Sequence, residues 1–206
     1  MRTSAENMQK GFTLIELLIV MLIAGIVIAS IYSAFQSQQN SYIAQDQITE
    51  MQQNLRAGLD MMSREIKMAG YDPTEKANAT LVSINASSFQ FTMDLNGDED
   101  VADPDENINY ALNNTEKQLE RNTEPIAYNI EALEFVYLDE NDAVTAVKED
   151  VRSVVISILA RAGGPDRNFY NTAQYVSFSG VTWGPYNDYL RRRLLIQKVN
   201  CRNMGL

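Results

Sequence analysis

Hydrophobic and polar residues follow three successive patterns along the chain, and each pattern predicts a different element. From Phe12 to Ile31 the only polar side chains are Thr13, Glu16 and Ser30. A run of about 20 apolar residues has the length that an α-helix needs to cross the hydrocarbon core of a bilayer. We therefore predict a membrane helix over residues 12–35.

The second pattern continues this helix beyond the membrane. Between Ile48 and Ala69 apolar residues recur every three or four positions, which is the period of an amphipathic helix. We expect Gly58 to be a flexible point in this half of the helix. Gly70 stands at a C-cap position, and Pro73 follows at a position that is typical just after the end of a helix. One helix of about 55–60 residues is predicted. Its first half lies in lipid, and its amphipathic half, residues 36–70, packs on a domain.

The third pattern, with a period close to two, predicts β-strands in a globular domain of residues 71–206. Val154–Leu159 is almost entirely apolar and is predicted to be a central strand under the helix. Residues 161–187 are predicted to be irregular and to precede a last element at Tyr189–Val199. The predicted fold class is α+β, a long N-terminal α-helix packed on an antiparallel β-sheet. The other candidate strands are Ala79–Ile84, Ser88–Met93, Asn107–Leu112, Lys117–Arg121, Ala132–Leu138, Ala143–Val147 and the wider Val151–Ala160.

Charged and small residues around the apolar run predict its orientation in the membrane and whether it is removed by cleavage. Arg2 and Lys10 precede the run, and the next Lys or Arg is Arg56, so the positive-inside rule places the N-terminus in the cytoplasm and the domain in the periplasm. A secretory signal peptide has its small-residue cleavage site after the apolar part, whereas here the small residue, Gly11, precedes it. We expect residues 1–11 to be a leader and the helix to remain as an inner-membrane anchor.

Glu16 is a carboxylate inside the apolar run, where an unpaired charge costs several kcal/mol and is usually functional. If the chain is cut after Gly11, the new amine of Phe12 lies one helical turn from Glu16, which also stands at the positive end of the helix dipole. The alternative is that Glu16 merely reaches the headgroups near a helix end.

The sequence Gly11-Phe12-Thr13-Leu14-Ile15-Glu16 resembles the class III leader of type IV pilins and of the pseudopilins of type II secretion. The resemblance implies that a membrane prepilin peptidase cuts between Gly11 and Phe12 and N-methylates Phe12. It also implies that Glu16 pairs with the Phe12 amine of a neighbouring subunit during assembly. Met61–Pro73 and the C-terminal segment around Arg191–Leu195 resemble the PilW group of minor pilins.

These resemblances imply a minor type IV pilin, a filament subunit that takes part in pilus assembly or initiation with other minor and major pilins as partners. Two alternatives stay open. A minor pseudopilin of type II secretion, resembling the GspJ group, has the same leader and mechanics. A membrane-anchored periplasmic binding module needs no filament at all.

The composition argues against several kinds of binding site and catalytic site in the domain. The net charge of −10 argues against bulk nucleic-acid binding, and the absence of histidine removes His-based metal sites and Ser-His-Asp triads. Cys201 is the only cysteine, so the chain has no internal disulfide. Arg191-Arg192-Arg193 lies near aromatic residues, a combination that suits single-stranded nucleic acid, but ion pairing with acidic neighbours is the simpler interpretation. We expect no enzyme activity, no catalytic residue and no required cofactor.

An acidic loop over residues 94–105 matches part of a calcium-loop pattern and looks like the loops of dockerin modules. Side chains with oxygen atoms occupy the first, third, fifth and twelfth places, and a backbone carbonyl is available at the seventh. The candidate calcium ligands, in chain order, are Asp94, Asn96, Asp98, Asp100 and Asp105.

Two departures weaken the calcium prediction. Glu99 stands where a glycine usually makes the sharp turn, and Ala102 offers no side-chain oxygen at the ninth place. The loop is also predicted to join two strands rather than two helices. A solvated acidic loop without a metal is therefore the alternative.

Overall fold

The computed structural model describes residues 11–205, so that the leader residues 1–10 lie outside the described part. The chain divides into two compact units at Ala44 and Gln45. Helix α1, Leu14–Ile66, contributes to both units, and the second unit also contains all of the β-strands.

The described part of the N-terminal unit contains the apolar run of α1, whose large side chains are exposed. Within residues 11–205, α1 is the one helix whose length and composition would let it cross a membrane. A helix satisfies its backbone hydrogen bonds internally, as a segment in lipid must. A helix that is apolar on all sides and has no buried face requires cover from lipid or from other helices.

The C-terminal part of α1 packs on the sheets of the second unit. Its buried apolar residues recur at intervals of three or four, as the sequence predicts, and burying each large side chain contributes about 1.5–3 kcal/mol. Gly58 lies on the same face, where an added Cβ would stand 3.1 Å from Ala127 Cβ and 3.4 Å from Leu119 Cδ2. The helix continues through Gly58, so the predicted soft point is instead a close contact between helix and sheet. The buried apolar positions are Met51, Leu55, Leu59, Met62 and Ile66.

The helix ends at Ile66, three residues before its predicted end, and a turn leads to Gly70. Gly70 has a φ of +75°, which favours glycine, and an added Cβ would lie 2.7 Å from Met204 Sδ. The amide of Gly70 donates to the carbonyl of Thr92 at 2.9 Å. This turn therefore fixes the end of the helix against strand β2, Ser88–Thr92.

Five antiparallel strands form the first sheet, in the order β1-β2-β3-β4-β5. Neighbouring strands along the chain are neighbours in the sheet, so that the sheet is a meander. Asn122 and Thr123 join β4 to β5, and both have positive φ, as a two-residue hairpin of this kind requires. The strands are β1 Leu81–Ile84, β2 Ser88–Thr92, β3 Asn107–Asn113, β4 Gln118–Arg121 and β5 Glu124–Tyr128.

The second sheet has three antiparallel strands, β6 Ile130–Leu138, β7 Ser153–Arg161 and β10 Arg192–Asn200, in the order β10-β7-β6. Strand β7 is buried from Ser153 to Ala160, which confirms the prediction of a central strand. A short hairpin, β8 Tyr175–Val176 with β9 Thr182–Trp183, lies within the segment predicted to be irregular.

Aromatic side chains connect the two sheets in the core. The ring of Phe89 lies 5.1 Å from that of Phe91, 5.9 Å from Phe135 and 5.3 Å from Tyr137, measured between ring centroids. These tilted arrangements are favourable for aromatic pairs. The Tyr137 hydroxyl donates to the Asn85 carbonyl at 2.9 Å, which satisfies its polar atom.

The predicted strand Ala143–Val147 is wrong. The segment is irregular except for one bridge between Leu138 and Val144, and a 3₁₀ turn follows at Lys148–Asp150. Val144 and Val147 are exposed, so their alternation with polar residues reflects no buried face. Asp139 instead closes a turn here by accepting from the Ala143 amide.

Strand β5 is absent from the sequence prediction because Pro125 lowers the strand propensity of its segment. Proline is tolerated there because β5 is an edge strand of its sheet. The exposed edge is partly covered by α1. Asn54 Nδ2 donates to the Tyr128 carbonyl at 2.6 Å, and Asn54 Oδ1 accepts from the Tyr128 amide at 3.3 Å.

Candidate functional site

Thr13 and Glu16 form a reciprocal cap at the start of α1. Glu16 Oε2 accepts from the Thr13 amide at 2.9 Å and from Thr13 Oγ1 at 2.8 Å. Thr13 Oγ1 in turn accepts from the Glu16 amide at 3.3 Å. This is a capping box, in which a threonine before the helix and a glutamate three residues later satisfy each other's backbone donors. The Thr-x-x-Glu spacing in the sequence is the signal for it.

The cap gives Glu16 a local partner at the positive end of the helix dipole. Oε2 takes part in both hydrogen bonds to Thr13, whereas within residues 11–205 Oε1 has no hydrogen bond. The carboxylate therefore keeps one oxygen available for a cation. Desolvation strengthens such a pair, since the flanking side chains Leu14, Ile15 and Leu17 are apolar.

Gly11 and Phe12 lie before the first helical residue, in an exposed segment without regular secondary structure. A Cβ added at Gly11 would meet no atom within 4 Å, and 91% of Phe12 is exposed. The peptide bond between them is thus accessible in the described part of the chain. Arg2 and Lys10, which the topology prediction uses, lie outside the described residues.

The acidic loop joins β2 to β3, as predicted, and is shaped by its own side chains. Asp94 is fully buried, and its carboxylate accepts from the amide of Gly97 at 2.6 Å and from that of Glu99 at 3.3 Å. The positive φ of Gly97 and of Glu99 makes the sharp turns. Because both oxygens of Asp94 receive backbone donors, this residue organises the loop.

Three side chains at alternate positions then each accept a hydrogen bond from the amide two residues ahead. Asn96 Oδ1 accepts from Asp98, Asp98 Oδ1 accepts from Asp100, and Asp100 Oδ1 accepts from Ala102, at 2.9, 3.2 and 2.8 Å. The second carboxylate oxygen of Asp100 remains available, and Asp98 Oδ2 accepts from Asn96 Nδ2 at 2.9 Å. These turns bring the loop back upon itself.

The side chain of Asp105 forms an ion pair with a residue outside the loop. Its Oδ1 lies 3.2 Å from Arg121 Nη2, and Arg121 also binds Glu65 of α1 at 3.0 Å. Glu65 accepts from the Tyr110 hydroxyl at 2.5 Å as well. The residue at the twelfth place of the predicted calcium loop therefore takes part in an ion pair that connects the loop with the helix.

Glu106, which the sequence analysis did not select, lies closer to the centre of the acidic loop. One oxygen each from Asp98, Asp100 and Glu106 lie within 4.8 Å of one another. Glu106 Oε1 accepts from the amides of Leu95 at 2.8 Å and Asn96 at 3.4 Å. The loop thus gathers two of the five predicted ligands with a neighbouring glutamate.

The arginine run is engaged in ion pairs. Arg191 lies 2.8 Å from Asp166, and Arg192, which is nearly fully buried, lies 2.7 Å from Asp188 and 3.1 Å from Glu131. The hydrogen bond to Arg192 is the main reason that the pKa of Asp188 lies below its ordinary value. Two of the three arginines are therefore neutralised within the domain, as the simpler interpretation of the sequence expects.

Cys201 is buried, and its burial raises the pKa of the thiol to about 12. The thiol is thus protonated at neutral pH, and the nucleophilic thiolate form is scarce.

Two family models match this chain, one over the N-terminal segment and one over most of the remaining chain. Residues 7–32 match the prokaryotic N-terminal methylation motif. Residues 44–177, well over half of the chain, match the family of prepilin peptidase-dependent protein B. The chain belongs to this family. The prepilin peptidase-dependent protein B family and the methylation motif together confirm the predicted type IV pilin relationship and class III leader.

Among solved structures, the chain is similar to a type IV-like pilin from Thermus thermophilus. The two share 16% identity with a TM-score of 0.52, over 75% of this chain and 97% of that one. This similarity confirms the predicted fold of a long N-terminal helix on antiparallel sheets. Among curated proteins the chain has no significant match. Because this chain belongs to the prepilin peptidase-dependent protein B family, its apolar N-terminal helix also indicates membrane anchoring.

Proposed function

We propose that this protein is a minor type IV pilin resembling the PilW group, which enters a pilus after prepilin peptidase has cut it between Gly11 and Phe12. The observation that carries the proposal is the capped carboxylate of Glu16, placed at the start of an exposed apolar helix directly after a peptidase motif. An anchor alone requires no charge at that position, and its cost in lipid is considerable.

Cleavage would create a cationic amine on Phe12, four residues before Glu16. In a filament, Oε1 of Glu16 in an incoming subunit would bind the Phe12 amine of a neighbour, while Oε2 keeps its bonds to Thr13. Such a charge-assisted hydrogen bond is about twice as strong as a neutral one. The pair would therefore set the axial position of each new subunit.

The apolar helix would supply the surface for assembly. Its exposed Leu, Ile and Val side chains are compatible with lipid, but in water each Å² of apolar surface costs about 25 cal/mol. A subunit can thus leave the inner membrane only if helices of other minor and major pilins cover this surface. In this arrangement the N-terminus faces the cytoplasm and the β-rich domain faces the periplasm before assembly.

Mass spectrometry and substitution test this function together. We expect the purified mature protein to begin at N-methylated Phe12. Glu16→Ala should leave processing and membrane levels unchanged but reduce incorporation into pili by at least about tenfold, since a pair worth 1.4 kcal/mol changes an equilibrium tenfold.

Ser30→Ala is the matched control, because Ser30 is also polar within the span but bonds only to the Ile26 carbonyl of its own helix. It should assemble normally. A mature protein that begins elsewhere, or normal incorporation of Glu16→Ala, would contradict the proposal. Intact pili with lost protein secretion in a deletion strain would instead favour the GspJ-like pseudopilin alternative.

A further inference from the structure

The acidic loop contains a buried oxygen atom that lacks a partner. Glu106 is 2% exposed, and within residues 11–205 its Oε2 has no hydrogen-bond donor. Burying a polar atom without a partner costs about 1–3 kcal/mol, and more when the group is charged. Native proteins rarely tolerate such an atom unless something outside the chain satisfies it.

The surroundings of Glu106 point to a cation. Residues 94–106 contain seven carboxylates and no Lys or Arg. In the described part of the chain, the ion pairs at this loop join Glu99 to Lys76 and Asp105 to Arg121. Asp98, Asp100 and Glu106 thus bring three negative charges together, and their mutual repulsion opposes the observed conformation.

The spacing of these oxygens suits one metal ion better than it suits a set of unpaired acids. Oxygen ligands of Ca²⁺ lie at about 2.3–2.6 Å from the ion, so two ligands of one ion are at most about 4.6–5.2 Å apart. The three oxygen atoms here lie within 4.8 Å of one another. A single ion can therefore contact all three.

We propose that Asp98, Asp100 and Glu106 bind one Ca²⁺ ion. All three provide hard oxygen ligands, which Ca²⁺ prefers, and the neighbouring loop residues are mostly exposed, so water can supply further ligands toward a coordination number of six to eight. Mg²⁺ requires near-ideal octahedral geometry and dehydrates reluctantly, which a three-carboxylate loop of this irregular kind does not favour. Structural zinc sites are built from cysteine and histidine, which this loop lacks.

This ligand set differs from the one that the sequence pattern predicts. Asp94 acts on backbone amides within the loop, and Asp105 acts on Arg121. The charged residue after the twelfth place, Glu106, contributes instead, because it begins the return into β3 and is held in place by the amides of Leu95 and Asn96.

Binding would connect the loop with the end of the long helix. The Asp94 amide donates to the Tyr71 carbonyl at 2.7 Å, and the Met93 amide donates to the Glu106 carbonyl at 2.9 Å. An ion on Glu106 would therefore fix the base of the loop and, through Tyr71, the segment that follows α1. Neutralising Asp98, Asp100 and Glu106 would remove the repulsion that opposes this conformation of the loop.

Calorimetric titration with CaCl₂ alone tests the site in the full mature chain, purified in a nonionic detergent and stripped with EGTA. We expect one ion per chain with a Kd of about 10⁻⁴–10⁻³ M, the range of extracellular calcium modules. At a hundredfold excess over Kd, Tm should rise by about 5–10 °C. MgCl₂ at equal concentration should give less than a third of the shift.

The double variant Asp98→Asn/Asp100→Asn should lower the affinity for Ca²⁺ at least tenfold while keeping the turns, because asparagine retains the oxygen that accepts each amide. Glu106→Gln should do the same, since its Oε1 bonds can persist. Glu99→Gln is the matched control, because it removes one charge from the same loop outside the cluster, and its affinity should stay within twofold of the wild type.

The following results would overturn the proposal, and the first two need no variant. They are no saturable heat up to 10 mM CaCl₂ in the wild type (about tenfold above the expected Kd), equal binding of MgCl₂, and unchanged affinity in the double variant. An equal loss in Glu99→Gln would also overturn it, because the effect would then reflect only the total charge of the loop.

Discussion

Glu65 illustrates at the residue scale how packing determines the state of polar groups. It accepts hydrogen bonds from Tyr110, which is fully buried, and from Arg121, and the side chains of Glu65 and Arg121 are largely buried. Burial, followed by the bond to Glu65, raises the pKa of the Tyr110 hydroxyl. Desolvation alone would lower the pKa of Arg121, but the bond and charge of Glu65 more than offset it, and the pKa is raised. Both groups therefore stay protonated and donate at neutral pH.

Arg121→Met should lower the free energy of unfolding by about 1–3 kcal/mol, because it leaves Glu65 partly buried without its cation. Urea unfolding of the mature protein in detergent, followed by circular dichroism, measures the change. Lys198→Met removes a pair with the exposed Asp142 and should cost less than about 1 kcal/mol. Equal losses in the two variants would show that the network around Glu65 adds nothing beyond a surface pair.

At the scale of elements, the contact between α1 and the first sheet depends on the absence of a side chain at Gly58. The neighbouring atoms on Ala127 and Leu119 belong to strands whose positions the ladder of hydrogen bonds fixes. A larger residue therefore cannot be accommodated without moving the helix away from the sheet.

Gly58→Leu should destabilise the protein by about 1–3 kcal/mol through overpacking, despite the better helix propensity of leucine. Ala57→Leu is the matched control, since Ala57 is exposed on the same turn and leucine is nearly as good a helix former as alanine. Thermal unfolding of both variants measures the difference. A Tm for Gly58→Leu equal to that of Ala57→Leu would contradict the close-packing argument.

Long periodic elements could be predicted from the sequence, whereas short ones that depend on distant partners could not. The period of α1 extends over dozens of residues, and β7 is a continuous apolar run, so both predictions hold. Strand β5 contains Pro125 and is held at its edge by Asn54, a residue more than 70 positions away. Conversely, the alternation of Ala143–Val147 lacks a neighbouring strand along its length.

The candidate functional residues show the same division. Gly11, Phe12 and Glu16 form a local motif, which the sequence reveals, and the cap to Thr13 follows from a three-residue spacing. Glu106 could not be selected in this way, because a calcium-loop template counts only twelve places. Its relation to Asp98 and Asp100 arises when the loop folds back onto the start of β3.

At the scale of the whole molecule, the second unit has its own core and begins at Gln45. We expect a fragment of residues 45–206 to fold without the apolar half of α1, because its buried helix residues start at Met51. The fragment should be soluble without detergent and unfold in one cooperative thermal transition. A fragment beginning at Gly58 should not do so, since it lacks Met51 and Leu55. Equal behaviour of the two fragments, or no cooperative transition in the longer one, would contradict this expectation.

The bond pair between Asn54 and Tyr128 has a consequence for how copies of this protein can meet. Both main-chain groups of Tyr128 are already occupied by one amide side chain. An extended segment from another molecule would have to displace that side chain before it could pair with β5 and add a strand to the first sheet. Asn54→Ala would thus leave the backbone groups of Tyr128 unpaired at the sheet edge and favour aggregation of the domain.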